Sequence, residues 1–425
     1  MDWKTKIPLL LLLSIIMSSL LASAAASQKP IAPPSDALPQ SLGNLYSIQS
    51  TIFDEPRRYY VSLPESYFGQ QQSYPVLYVI DADFHFTHAA ALARSQARMG
   101  KLPPMIVVGV ANQGPKDFLY TTSWPSQLEG PEFGGADLLI RHLHQELVPY
   151  IDMHYRTRGA NALAGYSMGG LFTLQAMMAD NTPFSAFLAM SPSAWYDNAG
   201  INAKILSWVA KAPAPLPPLF LSVANEQDMG VEALYQALTQ AKPQWPLTFH
   251  HFPEEDHYSM SLPALLAGLQ ILAPNHGSDV PDLIALGDYS QVLAHFSHQQ
   301  TQWAGFNIGW LQAYRFAKYV FHSQQTDKID AIVQQVSSQM PASLAEVLIG
   351  LATGYNKTQQ PALAIQLLTN TPCSECRHRA QWHHQLSLAY AANKQPQLAT
   401  QHQTKAMALA TQQQLPAWLV WEMRE

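Results

Sequence analysis

The sequence predicts an α/β fold with a mostly parallel sheet flanked by helices, followed by an all-α region. Three observations predict it. Short, continuous apolar runs such as YPVLYVI (Tyr74–Ile80) and MIVVGV (Met105–Val110) have the look of strands covered on both faces. Stretches with apolar residues at helical spacing, such as DLLIRHLHQELVPY (Asp137–Tyr150), alternate with them. After about Ala273, Pro and Gly thin out, Gln and Ala rise, and helical spacing takes over.

In chain order, MDWKTKIPLLLLLSIIMSSLLASAAA (Met1–Ala26) carries a basic start at Lys4 and Lys6, an apolar run and A-x-A cleavage signals. It reads as a secretory signal peptide over 1–24, which implies a periplasmic or secreted protein. A Pro-rich tail over 25–42 follows, and extended chain is what that composition favours. LYSIQSTIF and RRYYVSLP, broken at Asp54-Glu55-Pro56, read as a hairpin. Asn161–Ala164, Phe184–Met190, Leu219–Val223 and Leu247–Phe252 are further strands, and Gly169–Met178 is a helix. The expected domains are thus 43–274 (α/β) and 275–425 (helical). Within the latter, Leu351, Ala352, Tyr355 and Ala364 are echoed 35 residues later by Leu386, Ser387, Tyr390 and Ala399. The echo is similar to the tetratricopeptide pattern, whose stacked helix pairs commonly bind a protein partner.

Of 425 residues 48% are hydrophobic and 13% charged, which excludes a disordered chain and supplies a large core. The net charge of −6, without a basic run, speaks against nucleic acid as a partner. The long apolar run lies at the N-terminus, so no membrane span is expected once it is cleaved.

The chemistry is concentrated in AGYSMGG (Ala164–Gly170). Gly165-Tyr166-Ser167-Met168-Gly169 is G-x-S-x-G, the spacing of a nucleophile on a sharp strand-to-helix turn. Glycines on either side leave room for strand and helix to approach, and the Met168 N–H faces a developing oxyanion at the helix start. The usual chain order is then acid and histidine. Among 16 histidines, His257 in PEEDHYSM is the candidate base, because it follows a late strand. His250 and His251 lie in that strand, one of them expected to face the core or a neighbour. LFLSVANEQDMG offers Glu226 or Asp228 as the acid that orients the base. No metal or organic cofactor is required.

Together these residues resemble the Putative esterase family of α/β-hydrolases, which includes ferric enterobactin esterases, S-formylglutathione hydrolases and mycolyltransferases. YPVLYVIDADFHF, VVGVANQ, LAGYSMGGLFTLQAM, MSPSAWYDN, SVANEQDMG and FPEEDHYSM carry the likeness, over about Leu45–Leu272. The resemblance implies an α/β-hydrolase fold and a serine esterase acting on a small-molecule ester or thioester through an acyl-enzyme. It assigns Ser167 as nucleophile, His257 as base and Glu226, ahead of Asp228, as acid. Ala82 or Asp83 becomes the second oxyanion donor beside Met168, with Tyr166, Ser193 and Trp195 against the substrate. Where the family commonly has arginine before an aspartate, this chain has Lys116 before Asp117. A lysine is a poorer clamp for an anionic substrate than a guanidinium fork, so a ferric siderophore is not the favoured substrate. Acyl transfer and a binding role for the helical tail are the competing functions. In TPCSECRHRAQWHH, Cys373 and Cys376 form C-x-x-C; in an oxidising compartment this is expected to be a disulfide rather than a zinc site.

Overall fold

The computed structural model describes residues 40–424 apart from Ser66, Asn275 and Ala304. The signal peptide over 1–24 and most of the tail over 25–42 lie outside the described residues. Leu42–Glu425 forms one compact unit.

Its centre is an eight-stranded sheet in the order β1-β2-β4-β3-β5-β6-β7-β8. The strands are β1 (Asn44–Ser50), β2 (Glu55–Ser62), β3 (Tyr74–Ile80), β4 (Ile106–Val110), β5 (Thr157–Tyr166), β6 (Ala186–Met190), β7 (Leu219–Ala224) and β8 (Leu247–Phe252). β1 and β2 run antiparallel to their neighbours, and the other pairings are parallel. Residues of β3, β4, β6 and β7 are buried throughout, because helices cover both faces. The period of two sorts them. Val76, Tyr78 and Ile80 join Leu163, Phe187 and Leu221 in one core, and Leu77 and Val79 join Ala162, Ala164 and Leu188 in the other.

The second face is covered by α1 (Ala82–Arg98) and α8 (Ser261–Leu272). The first is covered by α3 (Ala136–His142), α4 (Val148–His154), α5 (Met168–Met177), α6 (Tyr196–Lys211) and α7 (Val231–Ala241). The short α2 (Pro115–Thr121) follows β4. α6 makes a left-handed turn at Asp197, Asn198 and Ala199 before its regular part.

Two local readings are corrected. The helix expected over Asp137–Tyr150 is α3 and α4 joined by a π-helical turn, Leu143–Leu147, next to Pro149 in the first turn of α4, where no N–H is available to the ladder. The hairpin turn falls at Thr51–Asp54, not at Asp54–Pro56. Glu146, from the π-helical turn, accepts hydrogen bonds from Ser50 Oγ (2.6 Å), Thr51 N (2.7 Å) and Thr51 Oγ1 (2.7 Å) and so satisfies donors the turn would leave bare. Burial alone would raise the Glu146 carboxyl, but these bonds and one from His142 hold it at about 2. His250 and His251 are both exposed, because β8 is the edge strand, and His250 stacks on Phe252.

After Ala273 the described chain is helical: α9 (Val280–Leu286), α10 (Tyr289–Gln299), α11 (Trp310–His322), α12 (Ile329–Gln339), α13 (Leu344–Lys357), α14 (Pro361–Asn370), α15 (Ala380–Ala392), α16 (Pro396–Gln412) and α17 (Ala417–Glu422). α9 and α10 each begin with a capping box, on Asp279 and Asp288. These helices have an apolar core of their own, including Phe316, Val347, Leu351, Ala364 and Leu386. Cys373 and Cys376 are joined by a disulfide in the α14–α15 connection, with Cα atoms 5.4 Å apart. None of the described helices is long and apolar enough to cross a membrane.

Candidate active site

Ser167 stands between the end of β5 and the start of α5, with φ 57° and ψ −119°. A non-glycine residue in that region is strained, and the surrounding structure must hold it there. The flanking glycines explain how it is held. A Cβ on Gly165 would sit 2.0 Å from the Gly169 carbonyl oxygen, so only glycine lets strand and helix cross this closely. On the other side, a Cβ on Gly169 would meet Ile80 Cγ2 at 3.3 Å. Ile80 ends β3, so the start of α1 is brought beside the start of α5.

Three strand ends converge on this point. Ser167 Oγ lies 3.2 Å from Nε2 of His257, which is in the loop after β8. His257 Nδ1 lies 2.6 Å from Oε2 of Glu226, in the loop after β7. Glu226 is held from its other side: its Oε1 accepts from Ser191 Oγ at 2.6 Å and from Ala224 N at 3.3 Å. The pairing of Ala224 with Phe252 sets the two loops side by side. Asp228, the alternative acid, is exposed in a left-handed turn (φ 61°), and no contact among the described residues joins it to His257.

The strand-to-helix turn at Ser167 is bound to its surroundings. Ser167 N donates to Met190 O (3.0 Å), and Ser193 N donates to Ser167 O (3.1 Å). Ser193 Oγ comes within 3.3 Å of Ser167 Oγ. Tyr166 OH donates to the His257 carbonyl, and its ring packs on the imidazole with centroids 5.1 Å apart. Burial pushes the Tyr166 hydroxyl up, and the Glu226 and Asp256 carboxylates add to it, so it stays a donor. Trp195, two residues after Ser193, is 44% exposed.

Met168 is the first residue of α5, and Ala82 and Asp83 open α1 after the left-handed Asp81. N–H groups in a helix's first turn have no intrahelical acceptor, so both helices present free donors at this rim. The start of α1 is braced by side chains. Asp83 accepts from Asn112 N (2.9 Å) and Tyr60 OH (3.0 Å), and Asp81 accepts from Asn112 Nδ2 (2.5 Å). Burial raises the Asp81 carboxyl to about 6, with the neighbouring Asp83 charge adding and the Asn112 bond opposing. His85, edge-on to Tyr166, is pressed down to about 3 by burial, with His88 adding, so it is neutral. Lys116 is exposed on α2, and no contact among the described residues joins it to Ser167. Its neighbour Asp117 is instead gripped by both terminal nitrogens of the buried Arg57 at 3.0 and 2.8 Å.

Sequence reasoning did not single out Ser191, Asn112 or the Tyr166–His257 bond. Ser191 lies inside MSPSAWYDN, and an undirected serine gives no sign of its acceptor.

Residues 50–245 match the family whose description is "Putative esterase". This region belongs to that esterase family. The protein is a hydrolase, and its esterase region is similar to two curated siderophore enzymes. One is the ferri-bacillibactin esterase BesA of Bacillus subtilis, 29% identical over 222 residues, which are 46% of this chain and 76% of the relative. The other is the siderophore enterobactin esterase of Emericella nidulans, 27% identical over 192 residues, 37% of this chain and 63% of the relative. Among solved structures, an IroE-like serine hydrolase from Shewanella oneidensis shares the fold, with a TM-score of 0.60 at 24% identity, covering 69% of this chain and 98% of that one. An uncharacterised protein from Capnocytophaga ochracea covers 85% of this chain and 99% of its own, with a TM-score of 0.56 at 15% identity. That overlap extends past the esterase region into the helices that follow.

Proposed function

We propose that the protein is an exported serine esterase in which Ser167, His257 and Glu226 act as nucleophile, base and orienting acid. The observation that carries this reading is the chain of contacts from Ser167 Oγ to His257 (3.2 Å) and from His257 to Glu226 (2.6 Å), built on a strained strand-to-helix turn. Glu226 holds the Nδ1–H tautomer, which leaves Nε2 to take the serine proton. Ser167 Oγ then attacks the ester carbonyl, and the oxyanion lies against the Met168 N–H and an N–H of Ala82 or Asp83. The alcohol leaves with the proton returned by His257. Water, deprotonated by His257, releases the acid and restores the serine. An alcohol in place of water would make the same site an acyltransferase; product analysis with added alcohols separates the two.

Hydrolysis of p-nitrophenyl esters from acetate to long acyl chains, wild type beside Ser167→Ala, tests the assignment. A fall of about 10³-fold or more, with unchanged thermal unfolding, is expected. Retained activity in the variant overturns it. The chain-length optimum measures the acyl pocket, where Trp195 and Ser193 are the proposed walls.

A siderophore ester is the second reading, favoured by the names of the two curated relatives. Lys116 does not supply the guanidinium clamp, so chromatography of a tris-catecholate trilactone, iron-loaded and iron-free, is the deciding assay. The tetratricopeptide-like reading of α13–α16 adds a protein-docking role, which deleting those helices would remove while leaving hydrolysis.

A further inference from the structure

The segment Ser191–Ala199 leaves β6 at the rim where β5 ends, because those two strands run parallel. It meets the proposed catalytic residues at its start. Ser191 Oγ donates to Glu226, and Ser193 Oγ lies 3.3 Å from Ser167 Oγ. The half-exposed Trp195 follows two residues later. The backbone strain comes after it. Asp197, Asn198 and Ala199 take φ of 53°, 52° and 57° in succession. Left-handed residues other than glycine are disfavoured and normally single, and a run of them persists only where the surroundings hold it.

Asp197 supplies the hold. Its Oδ2 accepts from Trp124 Nε1 at 2.7 Å, its Oδ1 accepts from Ser126 Oγ at 2.5 Å, and its own N–H donates to Glu129 Oε1 at 3.3 Å. The bonds from Ser126 and Trp124 lower the Asp197 carboxyl against burial, and Lys204 adds to them, so both bonds are charge-assisted. All three partners lie in residues 122–135, the connection between α2 and α3. It is long for a connection, and connections of that length without helix or strand are commonly functional. Its Trp124 is buried edge-on to Tyr196, with centroids 4.9 Å apart, and its carbonyl accepts from Tyr196 OH at 2.6 Å. Leu128 and Glu129, further along, are exposed. Gly200 makes room for the anchor: a Cβ there would lie 3.1 Å from Asp197 Oδ2 and 3.5 Å from Trp124.

We propose that Asp197 is a positioning residue that sets acyl-chain selectivity: by pinning residues 122–135 to the start of α6, it fixes Trp195 and that connection as one wall of the acyl cleft. The selectivity rests on the esterase reading, and the anchor rests on the contacts of Asp197 alone. No contact among the described residues joins Asp197 to Ser167, His257 or Glu226, so it acts on binding and not on proton transfer. An acetyl group is too short to use the wall, whereas a longer chain lies along it and gains apolar contact with the indole.

kcat and KM for p-nitrophenyl acetate and for the ester at wild type's chain-length optimum, read beside digestion by glutamyl endopeptidase, test this. Asp197→Ala should raise KM about tenfold for the longer ester and less than about threefold for acetate, with kcat kept within about twofold on both. Asparagine tolerates the left-handed region and still accepts from Trp124, so Asp197→Asn should stay within about threefold of wild type on both esters. Digestion reads the anchor without ester chemistry: cleavage of the folded chain after Glu129 or Glu132 should be at least about fivefold faster in Asp197→Ala. If that variant does not fold by circular dichroism, Ser126→Ala replaces it, with effects of about threefold expected in the same direction. Equal losses on both esters overturn the proposal, and so do unchanged cleavage or an optimum at acetate. Wild type that hydrolyses neither ester overturns the selectivity together with the esterase reading, whereas the anchor stands or falls by the digestion.

Discussion

The sheet region and the helical region after Ala273 bury apolar surface by different means, and their chemistry differs accordingly. In the sheet, parallel register turns residues far apart in the chain into neighbours at one rim. Ser167 and His257 are 90 residues apart and come within 3.2 Å because β5 and β8 end on the same side. In the helical region, helices pack mainly against those nearest in the chain, as α13 to α16 do, and a surface is extended rather than focused. A sheet rim therefore suits a reaction, which needs several groups at one point. A helical array suits binding over an area.

The contrast is open to mutation, and the largest effect is expected at Gly165. In Gly165→Ala the new methyl meets a backbone oxygen at 2.0 Å, and neither β5 nor α5 has room to retreat. A loss of about 3 kcal/mol or more in urea unfolding is expected, together with loss of hydrolysis. Wild-type stability would break the argument. Gly350→Ala is the counterpart in the helices, where the methyl meets the Ala313 carbonyl oxygen at 2.7 Å across α11 and α13. A cost of about 1–3 kcal/mol is expected, with the hydrolytic rate per folded molecule unchanged. A matching loss of that rate would mean that the helices control the rim.

Ser191→Ala removes one of the bonds that hold Glu226. A stability cost of about 1 kcal/mol is expected, with kcat/KM reduced by about tenfold and partly restored by Ser191→Thr. An unaltered pH profile and rate would show that the Ala224 N–H is enough.

The smallest effect concerns acid sensitivity. His85 in the sheet region and His383 in the helices are pressed down by burial to about 3 and about 4, with His88 adding at the first and Lys405 and His402 among the charges that add at the second. For a base whose folded pKa is lowered, stability is fully present above the unfolded value near 6.5. It is lost as pH falls toward the folded value, because the unfolded chain binds the extra proton. His383→Gln should therefore lose less stability between pH 8 and pH 5 than wild type does, as measured by denaturant midpoints. An identical acid limb would show that His383 is already charged in the fold.

Legibility in the sequence follows the same division. Strands buried on both faces and the G-x-S-x-G turn were readable because local sequence dictates both. The residues alone do not separate Glu226 from Asp228 as the partner of His257, because two residues in one loop differ only in which way the chain turns, and the left-handed backbone of Asp228 is not written in its side chain. The hairpin turn falls earlier than its sequence suggests because its donors are met by Glu146, 95 residues away from Thr51. The cavity beside the starts of β3 and β5 has no local signature. Its walls are brought together by contacts such as Gln70 Nε2 to Glu346 Oε1, 276 residues apart, which no periodicity encodes.

The bond from Tyr166 to the His257 carbonyl ties the backbone of the loop after β8 to the strand-to-helix turn through a side chain outside that loop, beside the bonds that Asp256 and Ser259 make within it. Tyr258, the next residue, is 90% exposed and meets the imidazole only edge-on. Substitution of Tyr258 would remove that edge contact while the Tyr166 bond and the Ser167–His257–Glu226 contacts stay in place.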